Sequence, residues 1–183
     1  ILHPGSGTKV LGPNCTNVDI LDLPNVDVVA DLCKLPFDDN AYDAATCEQV
    51  LEHLPHPWLA AAEMERVVKP GGLIHIATPF LFPWHPSPSD YSRWTIEGLQ
   101  ELFPDSELVE SGVLSGPWSM VSACAHISAT FFSFGSRTLQ TILQFVLHIV
   151  LFPIKFLDVI FAHMRCADKC AACVFVVLKV KEA

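Results

Sequence analysis

Four short stretches in the first fifty residues hold side chains that can act together on a ligand: Gly5-Ser6-Gly7-Thr8, Asp19, Asp31-Leu32 and Glu48-Gln49. Glycines in a tight turn let the backbone approach a ligand closely. A carboxylate such as Asp19 can accept hydrogen bonds from both hydroxyls of a ribose. Each stretch follows a short apolar run, so each falls at the end of a strand. One Gly-x-Gly is weak evidence, whereas acids closing the next strands in order make a stronger pattern. A second cluster, His85, Asp90, Tyr91 and Arg93, lies in or just after the proline-dense stretch Pro79 to Pro88. Its side chains can move a proton or anchor a polar group. A long ordered loop directly after a strand is more often functional than not.

These groups need a frame. Up to about residue 125, short apolar runs alternate with helical stretches, the pattern of a parallel sheet with crossover helices. The predicted strands are a stub at Ile1-Leu2, then Asn17 to Ile20, Val26 to Ala30, Tyr42 to Thr46 and Leu73 to Ala77. Their apolar, β-branched character suits strands buried on both faces. Trp58 to Val68 has helical spacing, and Lys69-Pro70-Gly71-Gly72 supplies a stop signal. Thr95 to Phe103 predicts a further short helix, and Cys173 to Lys181 a final strand. In such a sheet, ligands bind outside the carboxyl ends of the strands. The expected organisation is one domain over residues 1–183: a core to about 125, a helical insertion over about 126–164, and the closing strand at about 173–181.

The chain has 183 residues and a formal net charge of −9. That balance excludes a broad phosphate-binding surface, so no nucleic-acid partner is expected. Seven scattered cysteines read as reduced thiols, which points to the cytoplasm. No charged and then apolar leader opens the chain, which starts at Ile1 in a strand; further residues are expected upstream.

The run Asp31-Leu32-Cys33-Lys34-Leu35-Pro36-Phe37-Asp38-Asp39, with Tyr42-Asp43, Val50-Leu51-Glu52-His53 and Glu63 to Gly72, resembles the class I S-adenosylmethionine-dependent methyltransferases. The resemblance is strongest to the type 11 group, which includes quinone-biosynthesis enzymes, and covers roughly residues 1 to 103. It implies a doubly wound, mostly parallel Rossmann-like sheet, S-adenosylmethionine as cofactor and a small-molecule methyl acceptor. By the same resemblance Gly5, Ser6 and Gly7 would lie against the methionine part of the cofactor. Asp19 would hold the ribose, and Asp31 with the Leu32 backbone would face the adenine. Glu48 and Gln49 would line the methionine side. The region from Phe80 through His85, Asp90, Tyr91, Arg93 and Trp94 would cover the acceptor, with His85, Asp90 or Tyr91 as the base where one is needed.

The chain departs from the family pattern in three places. His3-Pro4 replaces the usual acidic residue before the first glycine, and Lys9 replaces a further glycine. Only a short stretch separates Gly7 from Asp19, so the first crossover helix is expected to be reduced to a loop. A non-catalytic interaction module is therefore the alternative reading. A nicotinamide-binding enzyme fits less well, because the full G-x-G-x-x-G is missing.

Three features have plainer readings. His53, grouped with Phe80, Arg93 and Trp94 as a substrate-side candidate, is equally placed to bond a backbone group. Cys166, Cys170 and Cys173 have a cluster-like spacing, but no fold context for a cluster follows them, and no metal is expected. Thr138 to Met164 is long enough to span a membrane. However, Gln140, Gln144, His148, Lys155 and Asp158 recur along it at helical spacing and Pro153 interrupts it. Packing on the domain or in a homodimer is the preferred reading, with peripheral membrane contact second.

Overall fold

Among the described residues the alternating pattern forms seven strands and five α-helices. They run β1 (Leu2–Pro4), β2 (Thr16–Asp19), β3 (Val28–Val29), β4 (Tyr42–Glu48), α1 (Pro57–Val67), β5 (Val68–Pro79), α2 (Ile96–Glu101), β6 (Ser106–Ser115), α3 (Pro117–Ser128), α4 (Arg137–Lys155), α5 (Asp158–Phe161) and β7 (Cys173–Val180). The computed structural model describes residues 1–161, 164 and 166–182. Positions 162 and 163 of the segment read as Thr138–Met164 therefore lie outside the described residues.

One sheet takes all seven strands, in the order β3-β2-β1-β4-β5-β7-β6. Strand β1 is parallel to β2 and to β4, β2 to β3, and β4 to β5. The C-terminal strands are antiparallel, so the sheet is mixed. The last strand enters between β5 and β6, leaving β6 at the edge. The sequence reading missed β6. Most of its side chains are exposed and it carries Glu107 and Glu110, so it lacks the apolar run that marks a buried strand.

The chain divides into two compact units. The first comprises Ile1–Thr78, Pro86–Gly112 and Phe175–Ala183; the second comprises Pro79–His85 and Val113–Val174.

In the first unit, the connections from β1 to β2, β2 to β3 and β3 to β4 contain no α-helix. The predicted loss of the first crossover helix is thus visible, and it shows in the burial pattern. Ala45, Cys47, Ile74, Ile76, Val176 and Leu178 are buried, as are Ala60, Ala61 and Met64 of α1 and Leu99 of α2. Their alternate neighbours Ala44, Thr46, His75 and Val177 are only partly covered, and Leu73 is 44% exposed. These residues, with the loop Leu11 to Cys15, line a shallow groove of about 420 Å³. The expectation of strands buried on both faces therefore holds for one face only, because a loop replaces a helix over the other.

Helix α1 begins at Pro57, where a missing amide costs nothing. It ends at Val67, one residue before the predicted end, and Lys69 to Gly72 then lie within β5 rather than in a loop. The register with β4 jumps from Tyr42↔Val68 to Ala44↔Leu73, so these four residues bulge out. Gly71 has a φ of +78° there, and a Cβ on Gly72 would stand 2.7 Å from the Asp43 carbonyl.

The second unit is helical. Helix α3, also missed in the sequence, begins at Pro117. Asp158 at the start of α5 caps it, accepting the amides of Trp118 and Ser119, each at 2.9 Å, and the Ser119 hydroxyl at 2.6 Å. The His126 and His148 rings are 5.9 Å apart, and the Trp118 and Phe161 rings 6.1 Å, so α3 and α4–α5 run antiparallel.

Candidate cofactor crevice

The loop after β1 is built by its neighbours. The amides of Gly5 and Ser6 both donate to the Val18 carbonyl, at 2.8 and 3.1 Å, folding the loop over the end of β2. Gly5 and Gly7 have φ of +68° and +53°, a region that favours glycine. A Cβ on Gly5 would lie 2.3 Å from Val50, so the loop closes tightly on the segment after β4. At Gly7 nothing stands within 4 Å of that position, which leaves the backbone open for a ligand's approach. The Ser6 hydroxyl is buried beside it with no hydrogen-bond partner among the described residues.

Asp19 closes β2. One carboxylate oxygen accepts the Gly7 amide at 2.8 Å, the other the Leu21 amide at 3.0 Å. Each oxygen keeps a second lone pair, so ribose hydroxyls can still be bound. Asn25 braces the other side of the loop through the Gly7 carbonyl, at 2.8 Å. His3, in place of the usual acid, is buried and bonds Asn17 Oδ1 of β2 at 3.1 Å. It ties two strands together.

Asp31 accepts the Cys33 amide at 2.8 Å, which shapes the turn after β3, while the Leu32 side chain is buried in the core. That turn is then gripped from α1. Glu63 accepts the Leu35 amide at 2.7 Å and pairs with Arg66 through two contacts of 2.8 Å. Arg66 donates onward to the Phe37 carbonyl and to Asp39 at 2.8 Å, and to the Leu35 carbonyl at 3.1 Å. Sequence reading quoted both stretches but did not connect them. The available signal was an acid and an arginine three residues apart on one helix face.

Glu48 ends β4 and meets Lys9 from the β1 loop at 2.7 Å. That hydrogen bond and its charge hold the Glu48 carboxyl below the usual range. Lys9 was noted only as a missing glycine; its reach across to Glu48 is a tertiary finding. His75, 3.9 Å from Glu48 and 3.0 Å from the Thr46 hydroxyl, is pushed down by burial. Gln49 follows with a φ of +57°, and its amide donates to the Ala77 carbonyl at 2.8 Å.

The acceptor-side candidates fall into both units. In the first, His53 Nδ1 lies 2.6 Å from the Ser89 carbonyl, and the Tyr91 amide donates to the Glu52 carbonyl at 2.7 Å. The Glu52 side chain is fully buried, and its carboxyl is pushed up by that burial. Asp90 was a candidate base, but its side chain is 1% exposed and both oxygens receive the Arg93 guanidinium, one at 2.6 Å. This two-pronged pair acts as a latch for their loop. Tyr91 is exposed. Trp94 is half-buried, and Thr95 caps α2 by accepting the Gly98 amide at 3.1 Å. In the second unit, the Phe80 amide donates to the Ala172 carbonyl at 2.8 Å, while His85 stacks edge-on to Phe82 and has Nδ1 3.1 Å from the Pro83 carbonyl. Cys166 is exposed, Cys170 half-buried and Cys173 buried.

A sheet with this strand order, a glycine loop after β1 and an acid closing β2 defines the class I methyltransferase fold. Residues 10–76 match the family model described as a methyltransferase domain. An uncharacterised methyltransferase of Mycobacterium tuberculosis is 42% identical over 62 residues, 33% of this chain and 24% of the relative. This chain thus spans about a quarter of the length of the curated relatives it matches. Among solved structures, phosphoethanolamine N-methyltransferase 2 of Haemonchus contortus, in complex with S-adenosylhomocysteine, has a TM-score of 0.60 and 17% identity. All of this chain and 48% of that one are covered. The cyclase SpnF has the same TM-score and identity, covering all of this chain and 74% of its own. At such identity the likeness shows the fold alone, and a cyclase on the same fold shows that the fold does not fix the reaction.

Proposed function

We propose that the chain binds S-adenosylmethionine in the crevice at the ends of β1, β2 and β4 and transfers its methyl group to a small-molecule acceptor. One observation carries the reading: the Asp19 carboxylate receives the Gly7 amide at 2.8 Å, which joins a ribose-binding acid to an open glycine loop. The donor set suits the cofactor piece by piece. Asp19 offers its remaining lone pairs to the ribose, and the turn from Asp31 to Leu32, gripped by Glu63 and Arg66, offers a backbone edge to the adenine. Lys9 and Glu48 present one positive and one negative charge to a zwitterionic amino-acid end.

The bound sulfonium supplies an already activated methyl group. The chain's own task is to hold the acceptor in line with that group and to exclude water. Where the acceptor must lose a proton, Tyr91 is the candidate within the first unit, since Asp90 is committed to Arg93. The net charge of −9 favours a small molecule over a polyanion as acceptor.

Calorimetric titration with S-adenosylmethionine and S-adenosylhomocysteine tests the reading. Micromolar binding that is lost in Asp19→Ala supports it. The second reading, a non-catalytic module, draws on the loop that replaces the first crossover helix and on the Lys9–Glu48 pair across the methionine side. No binding of either ligand to folded protein would favour that reading.

A further inference from the structure

Helix α4 leaves a broad apolar face bare. Its half-buried side chains, Gln140, Leu143, Gln144, Leu147, Leu151 and Ile154, form one mixed face, and Asp158 beyond it caps α3. A second set, wholly apolar, faces outward. Ile142, Phe145, Val146, Ile149, Val150, Phe152 and Phe156 are each at least 50% exposed. At about 100° per residue these positions, with Leu139 and Pro153, sweep about half of the helix circumference. The connection between α3 and α4 extends that surface, with Phe131, Phe132 and Phe134 at 78%, 65% and 89% exposure. A continuous apolar patch of this extent marks an interaction surface.

Charge decides what covers it. Arg137, Thr141, His148 and Lys155 follow one another at intervals of four, seven and seven residues, so they form one line along the edge of the apolar arc. The only full charges on that line are positive. The chain holds 20 acidic residues, yet none lies between Glu110 and Asp158. An acidic protein has thus kept the whole of α3, α4 and their connection free of negative charge. An apolar half-cylinder with a basic edge is the geometry of a helix lying in the headgroup boundary of a bilayer. The same line argues against a span, since it would carry His148 to the middle of the hydrocarbon.

We infer that α4, with the phenylalanine-bearing connection before it, docks the protein in the plane of an anionic lipid surface. The apolar arc enters the acyl boundary while Arg137 and Lys155 meet acidic headgroups.

Flotation of the full chain with lipid vesicles tests this. One set is phosphatidylcholine alone, and the other contains roughly 30 mol% phosphatidylserine. The protein is expected to float with the phosphatidylserine vesicles, and to lose that binding as salt rises. R137Q/K155Q should lower partitioning onto them by about thirtyfold, from the usual contribution of a basic residue near such a surface. F131S/F134S should lower it on both vesicle types. Circular dichroism checks that each variant is folded. Failure to float with either vesicle overturns the inference, as does flotation indifferent to both composition and R137Q/K155Q. A dimer in sedimentation that Phe145→Gln disperses, without flotation, would assign the face to a second copy of the chain. Cofactor titration on the same variants keeps this result separate from the methyl-transfer reading.

Discussion

The Asp19 carboxylate holds the Gly7 amide at 2.8 Å, so the acid proposed to bind the ribose also sets the loop proposed to admit the rest of the ligand. Removing it strikes both functions. Asp19→Ala should weaken S-adenosylmethionine binding by about 10- to 100-fold, the loss expected for charge-assisted hydrogen bonds. Asp19→Asn keeps an acceptor for one of the two amides and should fall between. Calorimetry reads the affinities, and thermal unfolding reports how much of the loss is the loop's own.

Lys9 keeps Glu48 ionised below the usual carboxylate range. If Glu48 contributes to cofactor binding, that contribution is present above its ordinary pKa and vanishes as pH falls through the lowered one. Lys9→Met should therefore move the acid limb of binding to higher pH and change affinity at pH 7 by less than about fivefold, since the pair is partly exposed. Titrations between about pH 4 and 7 check both parts.

Arg66 and Glu63 hold the Leu35 to Asp39 turn through backbone and side-chain contacts. Arg66→Met should cost about 2–3 kcal/mol of stability and lower Tm by about 5–10 °C. The Arg66 partnership depresses the Glu63 carboxyl. Its stabilisation is full above the ordinary carboxylate pKa and is lost as pH falls through the lowered value. The gap between parent and variant should accordingly narrow in acid, which unfolding curves at two pH values would show.

Glu65 is buried with its carboxyl pushed up by desolvation, and it accepts the Ser106 hydroxyl at 2.7 Å. A raised carboxyl stabilises the fold below its ordinary pKa and loses that contribution as pH rises through the raised one. Glu65→Gln keeps an acceptor for Ser106 and carries no charge. It should match the parent near about pH 4 and be more stable near about pH 8. Urea midpoints at the two pH values decide it.

Breaking the Asp90–Arg93 latch leaves a carboxylate buried without its guanidinium. Arg93→Met should cost about 3–5 kcal/mol, and D90N/R93M should recover part of it. If Asp90 were a base, Asp90→Asn would abolish turnover while leaving Tm unchanged. The latch predicts a drop in Tm instead.

Strand ends and their order were legible in the sequence because both are local. Apolar runs followed by Gly5-Ser6-Gly7, Asp19, Asp31 and Glu48 report a period and a termination, which neighbouring residues dictate. The same locality located α1, the short helix after Thr95 and the closing strand. Edge strand β6 was not legible, since a strand with one partner needs little apolar pattern. Nor was α3, whose start is set by Pro117 but whose cap comes from Asp158, some forty residues on. Only the tertiary structure decided which polar groups are spent on each other. It gave Lys9 to Glu48, Arg93 to Asp90, and Arg66 to the turn before α1, because pairing depends on where strands and helices meet in space. It also decided the direction of α4. The sequence shows a polar stripe and a wide apolar surface but not which residues pack inward; in the fold Gln140, Gln144 and several leucines are half-buried, while His148, Lys155 and the apolar arc stay exposed.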